Sequence, residues 1–297
     1  MKEKFELRKA RDFGQVFNDT FTFFKANLKP LLRALFVICG VFLLIGAISS
    51  SATYLNMSSA LSFSPGESSL YGSRYTSSYF VSAFTMIFIL LITQVLIHLV
   101  TLCYIAVYHE NKGRQASVTE AWIFLKYYFW RVLGASILLG ILTVIGFFCC
   151  IIPGVYFAVV FSLVPSIIVM ENASFSDAFS KSFRLIRGKW WFVFGVLFVI
   201  SFIVGIANSI PSAALGMVPV FGRFFTNQMI ITPVIIFSSI LRHLLMLSYC
   251  LTGIAVTLCY FSLSEQKDGA GLMARIEEFG KAEPEDEVTG HEPTEEY

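Results

Sequence analysis

From Trp190 to Ile210 the chain runs 21 residues without a charged side chain. A helix rises about 1.5 Å per residue, so this run can cross a hydrocarbon layer of roughly 30 Å. Inside that layer the backbone must satisfy its own hydrogen bonds, which leaves helices or closed barrels. The apolar runs here are continuous rather than alternating, so helices are expected. Composition agrees. Hydrophobic residues make up 56% of the 297 and charged residues 14%, with a mean hydropathy of +0.71. A soluble domain carries about 25% charged residues.

The segment before this run has a different pattern. Phe175, Phe179, Phe183, Ile186 and Trp190 recur at helical spacing, while Asp177, Lys181, Arg184 and Arg187 take the opposite face. The pair reads as a helix lying on the membrane followed by one passing through it. Subtracting 162 gives the same unit at Phe13, Phe17, Phe21, Phe24 and Leu28, with Lys25 under Arg187. A weaker copy places Val118, Trp122, Leu125 and Phe129 on one face.

Six spans are expected. They are Leu31–Ala52 (opened by Pro30), Tyr79–Tyr108, Val132–Cys150, Val155–Met170, the run after Trp190, and Leu244–Leu263. Loops are expected at Thr53–Ser78, at the Ile151–Gly154 turn and at Pro211–Asn227. Residues 228–241, which hold Pro233, read as a short interfacial or re-entrant helix. One long kinked helix is the alternative. The fold class is therefore an all-α integral membrane protein, with six transmembrane helices in three repeats of amphipathic surface helix plus hairpin. A basic lead (1–11) precedes the membrane domain (12–263; repeats 12–108, 116–171 and 174–263). An amphipathic turn and a disordered acidic tail (264–297) follow. The first apolar run follows a long basic lead, so it reads as an uncleaved span rather than a signal peptide.

Placing both termini in the cytoplasm puts 19 of the 22 Lys and Arg inside, with Arg74, Arg223 and Arg242 outside. All three surface helices then share the cytoplasmic face.

Enzyme signatures are absent: no GxSxG, HExxH or P-loop. The six cysteines sit in apolar runs without CxxC spacing and read as packing thiols. No catalytic residue, cofactor, metal or nucleic-acid partner is expected. Two residue sets remain. Lys181, Arg184, Arg187 and Lys189, beside Trp190 and Trp191, would set cations at phosphate depth next to interfacial indoles, with Lys25, Lys29 and Arg33 analogous. Gln94, His98, Glu171 and Arg242 are polar within or at the edge of spans, where polar groups seek partners. Glu171 is expected to meet Arg184 or Arg187.

The run IIPGVYFAVVFSLVPSIIVMEN, the RGKWW that follows and the ending TLCYFSLSEQKDG resemble the bacterial glycerophosphodiester phosphodiesterase membrane-domain family. The resemblance covers most of residues 12–280. It implies a multi-spanning protein of the bacterial inner membrane. The family's soluble catalytic domain has no counterpart here, so its activity is not carried over. Ser262-Leu263-Ser264-Glu265 also replaces a more basic family ending. The expected role is a non-enzymatic membrane protein that contacts lipid head groups, anionic ones included, or a protein partner. A small permease or lipid-handling transporter is the alternative.

Overall fold

A computed structural model describes residues 5–61, 69–225 and 228–269, with side chains left aside at 58–76 and 218–231. Among the described residues the elements are all helical. They are α1 (Phe13–Leu61), α2 (Ser69–Glu110), α3 (Val118–Cys149), α4 (Ile151–Ser162), α5 (Val164–Glu171), α6 (Phe175–Ile186), α7 (Trp190–Phe225), α8 (Gln228–Leu245) and α9 (Cys250–Asp268). A single 3-10 turn, Met246–Tyr249, joins α8 to α9. Among the described residues, six stretches are long and apolar enough to cross a membrane. The acidic tail and its amphipathic turn lie outside the described residues.

Burial follows chain order within each hairpin. In α1, α3 and α7 the most apolar window is 39%, 22% and 22% buried, whereas the returning helices reach 44% (α2), 56% (α4–α5) and 72% (α8–α9). Each hairpin thus turns its second helix inward. The extreme is α9, buried at every position from Gly253 to Leu263. Its Gly253, Ala255, Thr257, Cys259 and Ser262 are small, so neighbouring backbones can approach closely, which is how helices pack where no water drives them together. Outward-facing Phe80, Phe84, Phe148, Trp191 and Phe202 expose most of their surface, which only hydrocarbon tolerates over such an area.

All three amphipathic segments begin with a capping exchange. Asp12 Oδ1 accepts the Gln15 N–H at 2.7 Å, Ser117 Oγ accepts from Glu120 at 3.2 Å and Ser174 Oγ accepts from Asp177 at 3.3 Å.

They end differently, and here the surface-helix expectation needs correction. Only α6 stands apart from its span. Gly188, at φ +81°, breaks the helix before Trp190. The positions in the same register are Ala26 and Arg131, and both continue the helix. A side chain at φ +81° costs about 1–2 kcal/mol, so neither favours a break. Pro30 accordingly lies inside α1 rather than starting a helix. It cannot donate to the Ala26 carbonyl, and the Gln115 amide does so instead at 3.1 Å. Gly188→Val is expected to lower the melting temperature in detergent, by the equivalent of about 1–2 kcal/mol. Gly134→Ala, with open space around its added Cβ, should be neutral or slightly stabilising.

Other boundaries shift too. The loop expected at Thr53–Ser78 is largely helix, since α1 runs to Leu61 and α2 starts at Ser69. Pro211 and the residues after it continue α7 to Phe225. The Ile151–Gly154 turn is the first turn of α4, and the reversal falls on extended Cys150. The re-entrant segment is overturned. Helix α8 runs antiparallel to α1 and continues into α9, with His243 against Gly46 of α1 and, farther along, Gly253 against His98 and Thr101 of α2. Thr232–Asp268 is one long run with a 3-10 step, which is the kinked-helix alternative. The step falls at 246–249 rather than at Pro233.

Candidate functional site

The bundle has a basic end, where α2 and α9 finish and α3, α6 and α7 begin. Its centre is a polar knot around α6. Glu171, the last residue of α5, accepts hydrogen bonds from Lys181 Nζ at 2.7 Å and from the Tyr260 hydroxyl at 2.5 Å. Lys181 also pairs with Asp268 at 3.3 Å. Lys267 donates to the carbonyls of Arg184 and, at 3.0 Å, Arg187. Those carbonyls end α6 and have no helical partner, so the ammonium satisfies them and the helix dipole together. The expected partner of Glu171, Arg184 or Arg187, is thus replaced by Lys181, which lies one turn before Arg184 and on the α9 side.

The apolar face of α6 is also differently placed. Ala178, Ser182, Leu185 and Ile186 are buried. Phe179 and Phe183 pack on Phe161 of α4, at ring distances of 5.5 and 6.0 Å. The helix is docked on the bundle rather than laid on lipid. Of the six residues expected at the interface, Lys181 is committed internally. Trp190 stacks between Tyr156 and Phe194, at 6.0 and 4.9 Å, and is half-buried. The other four face outward. Arg184 is 66% exposed and reaches Asp268 only at 4.0 Å. The Arg187 and Lys189 side chains are exposed and make no ion pair among the described residues. Trp191 is 77% exposed.

The N-terminal segment joins the same end. Arg11 is buried, pairs with Asp19 at 2.7 Å and donates to the carbonyls of Leu7, Lys9 and Glu6. Its backbone N–H donates to Ser262 Oγ at 2.9 Å, and that hydroxyl donates back to the Arg11 carbonyl at 3.1 Å. Nothing in the surrounding charge pattern separates Arg11 from Arg8 or Lys9. The one available signal is its position just ahead of the Asp12–Gln15 cap.

Toward the opposite end, α1 and α8 enclose a second polar group. His243 is buried, and its Nδ1 lies 2.8 Å from the Ser239 carbonyl, so that nitrogen carries the proton. Its Nε2 has no hydrogen-bond partner among the described residues; nor have the hydroxyls of Ser50 and Ser239 or Nη1 of Arg242. Gly46 makes this possible, since a Cβ there would lie 2.6 Å from Nε2. Arg242 therefore belongs to an interior seam, and its neighbour His243 is the more deeply buried of the two. Gln94 and His98 are not part of it. They lie on α2, with His98 against Gly253 of α9. Among the described residues, no group of three or more His, Cys, Asp and Glu could hold a metal ion.

Residues 73–260 match the model of a family described as a domain of unknown function, DUF7847. No curated protein and no solved structure matches the chain.

Proposed function

The chain belongs to that family, DUF7847, and on this premise we propose that it is a non-enzymatic membrane protein that holds anionic lipid head groups against its basic end. The carrying observation is the division of cations around α6. Lys181 and Lys267 are held by partners within the chain, while Arg184, Arg187 and Lys189 are left outward beside exposed Trp191. Lys181 and Lys267 tie α6 to the bundle, so its outward cations, of which only Arg184 has an acidic neighbour among the described residues, at 4.0 Å, can meet phosphates with little reordering. Each such cation near an anionic surface contributes about 1 kcal/mol.

The charge distribution supports a cytoplasmic basic end in the inner membrane, with both termini inside. A bacterial setting is part of the same proposal. The shared capping exchanges and the inward turn of each second helix support three related repeats.

Changing Arg184, Arg187 and Lys189 together to Gln should cut co-purifying phosphatidylglycerol several-fold, with the lipid read by mass spectrometry. An unchanged lipid profile would exclude this surface as a head-group contact. A second reading, passage of a small polar solute through the bundle, is favoured by the partnerless seam at Ser50, Ser239, Arg242 and His243. Solute uptake into vesicles, lost in Arg242→Leu and absent without protein, would support it.

A further inference from the structure

Two cavities follow one another where α3 meets α1. The first, of about 470 Å³, is walled by Lys29, Pro30 and Arg33 of α1 and by residues 116–119 leading into α3. The second, of about 350 Å³, lies farther along both helices. Ile38 and Phe42 of α1, Ile92 and Leu96 of α2, and Trp122 and Trp130 of α3 wall it. Its charged wall residue is Lys126, whose ammonium sits 5.3 Å above the Trp122 ring. Lys29, Arg33 and Lys126 are exposed and make no ion pair among the described residues.

The chemistry changes along this seam. At its start two cations flank an opening that also carries Ser117 and Thr119, and beyond them the walls are more strongly apolar and aromatic. A free anion would be served by the first cavity alone, and a neutral hydrocarbon by the second alone. An amphiphile with an anionic head and an acyl chain uses both in their order. We infer that this seam binds one anionic phospholipid, with its phosphate between Lys29 and Arg33 and one acyl chain beside Trp122 and Trp130. Lys126 reaches the head group from the rim, its methylenes lying along the apolar wall. The site is separate from the free cations of α6 and stands without them.

Two of the four tryptophans report on it directly. The full chain carrying Trp190→Phe and Trp191→Phe is placed in phosphatidylcholine nanodiscs. Phosphatidylglycerol with brominated acyl chains, which quench indole fluorescence on contact, is then titrated in. Saturable quenching at low mole fraction is expected, well ahead of brominated phosphatidylcholine. Equal quenching by the two lipids would mean bulk contact only and would overturn the site. Changing Lys29, Arg33 and Lys126 to Gln should raise the half-quenching mole fraction about tenfold or more. Exchanging Lys29 and Lys126 for Arg, and Arg33 for Lys, should largely restore it. Glycerol phosphate, which has the phosphate but no chain, should not displace the lipid. Full displacement would reduce the site to phosphate binding and contradict the acyl-chain assignment. If the triple Gln variant fails to fold, the comparison of the two brominated lipids on the parent protein still decides.

Discussion

Arg11→Met is expected to free residues 5–12 from the bundle and to lower stability by about 2–3 kcal/mol, the scale of losing hydrogen bonds made by a buried charge. The guanidinium satisfies three backbone carbonyls and Asp19 at once, and the side chain is 1% exposed. Its removal orphans those carbonyls and weakens the paired bonds between the Arg11 backbone and Ser262. The effect should appear as a lower melting temperature and as faster amide exchange confined to residues 5–12 and the end of α9. Arg8→Met, at an exposed neighbour, should change neither. Equal behaviour of the two variants would mean that Arg11 does not pin this segment.

A comparable effect is expected from Gly46→Leu. The first added atom would sit 2.6 Å from His243 Nε2 and 3.5 Å from Ile89. His243 cannot simply rotate away, because its Nδ1 is bonded to the Ser239 carbonyl and the residue is buried. Forcing it out separates α8 from α1 and should cost about 1–3 kcal/mol, toward the upper end for a side chain as large as Leu. A double-mutant cycle tests the cause. Gly46→Ala and His243→Ala together should be more stable than the two separate losses predict, by about 1 kcal/mol. Strict additivity would show that the two residues do not meet.

Much of the fold is legible because hydrocarbon imposes simple rules. Twenty uncharged residues must be a helix, and the six apolar stretches are where the runs place them. The three amphipathic segments also start at the first residue of each apolar face, Phe13, Val118 and Phe175. The ends of the elements are less legible. Pro30, Pro211 and Pro233 look like breaks, yet each lies in a helix. A neighbour can supply the lost hydrogen bond, as Gln115 does for Ala26, and no local pattern announces that neighbour. The break that does occur, at Gly188, depends on one residue whose counterparts are Ala26 and Arg131.

The candidate site divides in the same way. Charge and spacing identify the cations of α6. Which of them are free depends on α9, distant in sequence, whose Tyr260, Lys267 and Asp268 occupy Glu171, the α6 carbonyls and Lys181. Trp190 has the composition of an interfacial anchor but is stacked into the bundle by Tyr156. Arg242 stands out as an intramembrane charge, whereas Ser50, Ser239 and His243 join it only once α8 is known to run along α1.

The head-group reading and the lipid seam both require the basic end to face the anionic inner leaflet. Impermeant maleimide labelling of Lys189→Cys tests this most directly, in a background with the exposed Cys149 and Cys150 changed to Ser. Labelling in inside-out membrane vesicles and none in intact cells is the predicted result. Labelling in intact cells would place the basic end outside and contradict the account.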